Sequence, residues 1–399
     1  MGLQPDGQPA GLSSAAAYVP VGIGLSGGHH GRGCGHFATG PAVMVGLTHR
    51  VVDSAAEVGV RNSQPEGIGR VVVLEDLVCW NNLGRNIVFA DRRLSPCAVF
   101  GATLFPEEDE PSQYDLDVHA ILEIPEMGLV LALNHFGVLR GFARVDMRRR
   151  DGDGRVEPQS LWTFVGDVER TVAVAGRLVG SAPRCDGAVG LLVSEPLEDL
   201  PDGGAIRTRP CATAFGEVTA VGVVPPDGDP LIAVGGNATV ALLPLVGDHV
   251  GRSRWEAAVG FRVACLGWHD DALWAAGPDR AGTVNDYDWE AQQGGGFSVF
   301  RPTDGEVVAC GQLPADIAWG TGGVAVATLG RHLVGAGRTG RLHLIDPLDR
   351  TEPRSTPPLA NTSLGIAHLA VDGPKVLCGF NRGGYRLDSY TPSSAAPKR

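Results

Sequence analysis

Apolar residues in this chain gather in short runs, and the runs recur in one order. An apolar strand is followed by a short polar turn, a second apolar strand, a turn containing glycine and a third strand. Seven copies can be written out: VVVLED-LVCWNNLGRNIVFAD (71–91), HAILEIPEMG-LVLALNHFGVLRGFA (119–143), TVAVAG-RLVGSAPRCDGAVGLLVS (171–194), TAVGVVPPDGDP-LIAVGGNATVALLPL (219–245), VACLGWHDDA-LWAAGPDRAGTVNDYDW (263–289), VAVATLGRH-LVGAGRTGRLHLID (324–346) and IAHLAVDGPK-VLCGFNRGGYRLDSY (366–390). The second strands begin near Leu77, Val130, Leu178, Leu231, Leu273, Leu333 and Val376, in steps of 53, 48, 53, 42, 60 and 43 residues. In four copies a glycine stands seven residues after that start, at Gly84, Gly137, Gly340 and Gly383, where a turn calls for a positive φ.

A fourth, outer strand follows in most copies, with candidates at 96–104, 160–166, 205–215, 254–261 and 306–313. The last copy ends too early for one of its own, whereas AVMVGLTHRVV (42–52) precedes the first copy without a partner. This stretch is expected to become the outer strand of the last unit, closing the ring and covering its loose edge. A period close to 50 residues fits four-stranded blades. The expected fold is therefore all-β, a single seven-bladed β-propeller of four-stranded antiparallel blades with a disordered Gly-rich N-terminal tail. Because the third copy matches poorly and the fifth is long, six or eight blades are the alternatives. The expected organisation is a flexible tail over 1–40, the closing segment over 41–64, the propeller over 65–393 and a short tail over 394–399.

Three copies end their third strand on an apolar–Asp step, at Asp91, Asp346 and Asp388. On the repeat and these endings the chain resembles the seven-bladed propeller class that includes WD-repeat, YVTN-type and quinoprotein-like domains, over roughly residues 65–392. No copy carries the Gly-His dipeptide before its first strand or the Trp-Asp dipeptide of strict WD repeats. The resemblance implies architecture, and a fold alone does not fix function.

Composition agrees with this reading and narrows the function. The 57 glycines and 28 prolines suit many tight turns. A net charge of −12 counts against a general nucleic-acid binder, which carries a basic footprint. No run of 18 apolar residues marks a transmembrane helix. Residues 1–18 have no basic n-region, and the eight cysteines are scattered without CxxC pairs, so a cytoplasmic protein with free thiols is expected.

Candidate chemistry is sparse. His29, His30, Cys34 and His36 are metal-capable but sit in a glycine-rich stretch that offers little support for ligands. His119 and His368 fall on first strands, which line a propeller's channel. With Leu122 set against Leu369 they share strand parity, as do Glu75 and Glu123, so the four are weak candidates for a metal. The turns between second and third strands are marked by arginine: Arg85, Arg140, Arg184, Arg280, Arg338, Arg341 and Arg382. On one rim they would form a basic ring suited to a protein partner or a small anionic ligand. The loop PEEDEPSQYD (106–115) belongs to the same rim, and the first-to-second-strand turns carry carboxylates on the opposite one. There is no G-x-S-x-G elbow, P-loop or H-E-x-x-H motif, and no cofactor is implied. The leading expectation is a non-enzymatic scaffold; the alternative is a propeller enzyme, a lactonase-type hydrolase or metal-dependent oxidoreductase, with its site in the channel.

Overall fold

The structure is a computed structural model, and it describes residues 47–53, 68–82, 86–101, 118–134, 138–143, 160–165, 167–181, 190–200, 203–212, 217–224, 229–269, 271–279, 294–317, 319, 326–337, 339–348, 353–356, 359, 366–380 and 386–392. Strand β1 (Leu47–Asp53) stands apart from its sequence neighbours. Blade 1 follows as β2 (Ile68–Val73), β3 (Leu77–Asn82), β4 (Asn86–Asp91) and β5 (Pro96–Gly101). Blade 2 is β6 (Val118–Ile124), β7 (Leu129–Asn134), β8 (Val138–Ala143) and β9 (Ser160–Thr163). Blade 3 is β10 (Asp167–Val174), β11 (Arg177–Ser181), β12 (Gly190–Ser194) and β13 (Thr208–Ala212). Blade 4 has β14 (Val218–Val224), β15 (Leu231–Gly236) and β16 (Thr239–Val246), with two outer pieces, β17 (His249–Val250) and β18 (Trp255–Ala258), both on β16. Blade 5 is β19 (Cys265–His269), β20 (Ala272–Gly277), β21 (Gly296–Phe300) and β22 (Val307–Gln312). Blade 6 is β23 (Val326–Leu329), β24 (His332–Ala336), β25 (Leu342–Ile345) and β26 (Arg354–Ser355). Blade 7 is β27 (Ile366–Asp372), β28 (Lys375–Phe380) and β29 (Arg386–Pro392), completed by β1.

First strands touch in succession: β2 meets β6, then β10, β14, β19, β23 and β27 follow, and β27 returns to β2. This cycle closes a seven-bladed β-propeller. Its last blade joins distant parts of the chain, because β1 runs antiparallel to β29 from Leu47↔Pro392 to Asp53↔Arg386.

The apolar runs of the sequence become second and third strands because a blade is covered on both faces. All six residues of β15 and all five of β12 are buried. Among the described residues the core is divided accordingly into seven apolar clusters, one in each gap between neighbouring blades. Phe89 of blade 1 packs on Phe142 of blade 2 at 5.7 Å between ring centroids, and Leu377 of blade 7 joins Val71, Trp80 and Val88 of blade 1. Burying a large apolar side chain in such a gap contributes roughly 1.5–3 kcal/mol, so the ring is held by side chains between blades and by hydrogen bonds within them.

Candidate functional site

A four-stranded meander sends its first-to-second and third-to-fourth turns to one rim, and its second-to-third turns and the inter-blade connections to the other. Of the seven arginines assigned to the second rim, Arg85, Arg184, Arg280, Arg338 and Arg382 lie outside the described residues. So do the acidic loop 106–115 and the cluster His29, His30, Cys34 and His36. Arg140 falls within β8, half-buried, with its backbone paired to Ala132 and Leu161. Arg341 directly precedes β25; its carbonyl accepts the Gly337 N–H, and its Nη1 lies 3.4 Å from the Thr356 carbonyl.

The channel candidates divide. His119 is the extra residue of a register shift between β6 and β7, whereas His368 pairs with Gly379 beyond the shift in β27. The hairpin registers set Ile121, not Leu122, against Leu369, so the shared parity of the two histidines is lost. His368 is buried, and its Nδ1 accepts the Val71 N–H at 3.1 Å, fastening blade 7 to blade 1. Glu123 lies near the first-to-second rim, where its Oε2 accepts the Glu75 N–H at 2.8 Å. The blade 7 position equivalent to Glu123 is Val371, three residues beyond His368. That offset is about 10 Å along a strand, and the His368 Nδ1 is already taken by the Val71 N–H. Among the described residues no three His, Cys, Asp or Glu side chains gather as a metal set.

The same rim carries a charged chain across the closure of the ring. Arg92, in the third-to-fourth turn of blade 1, pairs with Asp372 of blade 7 and donates from Nη2 to the Glu75 carbonyl at 2.9 Å. Lys375 donates back to the Arg92 carbonyl at 2.9 Å. With the Glu75–Glu123 contact, blades 7, 1 and 2 are linked in sequence.

One polar constellation had no counterpart in the sequence reading. In blade 6, His343 and Ser355 are cross-strand partners, with Nδ1 2.8 Å from the Ser355 Oγ. The His343 Nε2 lies 2.8 Å from Oδ1 of Asp316, which comes from the connection between blades 5 and 6. The other Asp316 oxygen accepts the Thr339 hydroxyl at 2.7 Å. Burial acts to raise the Asp316 carboxyl, but the contacts from His343 and Thr339 outweigh it and hold the carboxyl below its ordinary value. A serine, a histidine and an aspartate in contact are the parts of an acyl-transfer relay. Here Ser355 is only 7% exposed, and the set joins two strands, a turn and an inter-blade connection. Its geometry is that of a fastening. Among the described cysteines, Cys79, Cys211 and Cys378 are buried, and burial pushes the Cys265 thiol up to about 12 against a weaker lowering from the Ala276 backbone.

With this architecture described, the comparisons can be read. No family model and no curated protein matches the chain. Solved structures do. The WD40 domain of Neurospora crassa Pan2 aligns with a TM-score of 0.57 at 11% identity, over 89% of this chain and 99% of that one. Chaetomium thermophilum Raptor aligns with a TM-score of 0.56 at 13% identity, over 88% of this chain and 30% of that one. These likenesses are of fold. They agree with the seven sheets above and set the chain among WD-repeat-like propellers in architecture.

Proposed function

We propose that this protein is a non-enzymatic propeller scaffold that binds a protein partner, or a small anionic ligand, on the rim of its second-to-third-strand turns. One observation carries the reading. The strand order directs every second-to-third connection to the same rim, and Arg85, Arg184, Arg280, Arg338 and Arg382 all fall in those connections by sequence. Carboxylates Glu75, Asp76, Glu126 and Asp271 fall in the first-to-second turns and Asp372 ends β27 beside one, so they belong to the opposite rim. In a protein of net charge −12, a group of arginines on one rim attracts an acidic surface there. A rigid ring that presents variable turns suits recognition more than chemistry.

The test is a pull-down from the source cell with wild-type protein and an Arg85→Glu, Arg341→Glu, Arg382→Glu variant, with partners identified by mass spectrometry. A partner held by wild type and released by the variant, with binding that weakens as salt rises, is the expected result. Equal capture by both proteins refutes the arginine rim.

A further inference from the structure

We propose that the closure of the ring is pH-sensitive: protonation of His368 removes the acceptor that fastens blade 7 to blade 1, so the seam between them opens more readily in mildly acidic surroundings. The device works within one chain and is independent of what the rims bind.

Its chemistry follows from one hydrogen bond. The Val71 N–H donates to the His368 Nδ1 at 3.1 Å, across 297 positions of the chain. An imidazole accepts at Nδ1 only while that atom carries no proton, because both ring nitrogens of an imidazolium are donors. This requirement holds whatever the other ring nitrogen contacts. A proton added to the closed seam would set two N–H groups against each other and leave the Val71 amide without its acceptor. Val71 is 1% exposed and His368 4%, so water does not readily take the vacated place. The ring therefore takes up its proton from solvent when the seam opens, and a protonated ring resists reclosure.

The surroundings sharpen the effect. His368 reaches into the gap between blades 7 and 1, where Ala370 and Leu377 meet Val71, Val73, Trp80 and Val88. A charge buried among apolar side chains is costly. Among the described residues β27 packs against β28, β2, β23 and β24. Their charged and titratable residues are Asp372 at the end of β27, Lys375 at the start of β28, Arg70 in β2 and His332 at the start of β24; β23 has none. Asp372, the single carboxylate on these strands, lies four residues from His368, about 13 Å along a strand. It is engaged there by Arg92 and Lys375.

The seam between blades 4 and 5 shows the alternative. The Thr219 hydroxyl donates to the Val263 carbonyl at 2.6 Å, a bond without a titrating partner. A hydroxyl thus fastens a seam inside the continuous chain, and an imidazole fastens the seam where the two ends of the ring meet.

The experiment is amide exchange of the full chain at pH 7.5 and pH 5.5, read by mass spectrometry with fragmentation to single residues. Each rate is divided by the intrinsic rate at its pH. An imidazole that is neutral in the closed seam and titrates near its ordinary value of about 6.5 in the open one multiplies the opening constant by about 1.1 at pH 7.5 and about 11 at pH 5.5. The corrected Val71 exchange is therefore expected to quicken about tenfold. The Val263 amide, bonded to the Gly236 carbonyl beside the hydroxyl-fastened seam, is expected to change less than about twofold. In His368→Asn an amide oxygen keeps the acceptor without titrating, so Val71 exchange should no longer depend on this pH step. Equal corrected rates for wild-type Val71 at the two pH values overturn the proposal. So does a Val263 amide that quickens as much as Val71, since the whole ring would then be loosening, or a tenfold change that persists in His368→Asn. The comparison of the two wild-type amides decides even where the asparagine variant does not fold.

Discussion

Replacing His368 by phenylalanine tests how the ring is closed. The side chain is 4% exposed and its Nδ1 takes the Val71 N–H, so phenylalanine preserves most of the volume while removing the acceptor. Val71 is itself only 1% exposed, so water does not readily replace the lost partner. An orphaned buried N–H costs about 1–3 kcal/mol. Over a propeller of this size that corresponds to a fall of about 1–4 °C in the thermal midpoint, taking the usual unfolding entropy per residue. The local readout is sharper. If the Val71 amide exchanges through opening of the seam, its exchange should quicken about 5- to 150-fold, the same free energy expressed as a ratio. Calorimetry and amide exchange by mass spectrometry measure the two quantities. His368→Asn supplies the control, because the asparagine oxygen occupies nearly the place of Nδ1 and keeps the acceptor while losing ring volume. Val71 exchange should stay slow in that variant. If exchange is equally slow with phenylalanine, or quickens more with asparagine, the hydrogen bond is not what holds the seam.

Two further predictions concern the fastening in blade 6. Asp316→Asn should cost about 1–3 kcal/mol at pH 7, as expected for hydrogen bonds to a charged group. Because the native carboxyl is held below its ordinary value of 3.8, its contribution is present above that value and fades as the pH falls through the depressed one. The gap between wild type and variant in urea denaturation should therefore narrow between pH 5 and pH 2; a constant gap would show that the charge is not involved. Gly337→Ala would set a Cβ hard against the Asp316 Oδ2 and 2.9 Å from the His343 Nε2, so it should destabilise by about 1–3 kcal/mol as an overpacked site, and a neutral result in the same assay would refute the contact.

The ring was legible because blades impose a strong pattern. Second strands read from the sequence at Leu77, Leu231 and Leu333 begin at Leu77, Leu231 and His332. Their continuous apolar character reflects burial on both faces. The third and fifth copies, which left six or eight blades open, form four-stranded sheets, but the fifth takes its third strand from Gly296–Phe300, beyond the 263–289 read from the sequence. The outer strand of blade 6 was not legible, because Arg354–Ser355 is two residues long and has no apolar pattern. The alignment of His119 with His368 failed for a different reason: Ile121 and Leu122 are both apolar, so composition could not show that the hairpin register matches Ile121 to Leu369. Asp316, Thr339, His343 and Ser355 come from four separate segments, so no local motif could announce them. A histidine flanked by leucines at 342–344 was the single hint of a buried polar group.

The pairing of Leu47 with Pro392 bears on how the protein is made. These residues lie 345 positions apart in the chain. At roughly 5–20 residues per second, β1 emerges from the ribosome about 17–70 s before the strand it must join. Until then six blades can assemble in order beside it, while β1 waits with its own edge unmatched. Newly made chains are thus open to outside strands for most of their synthesis, and a chaperone acting on this protein would have a long opportunity at β1.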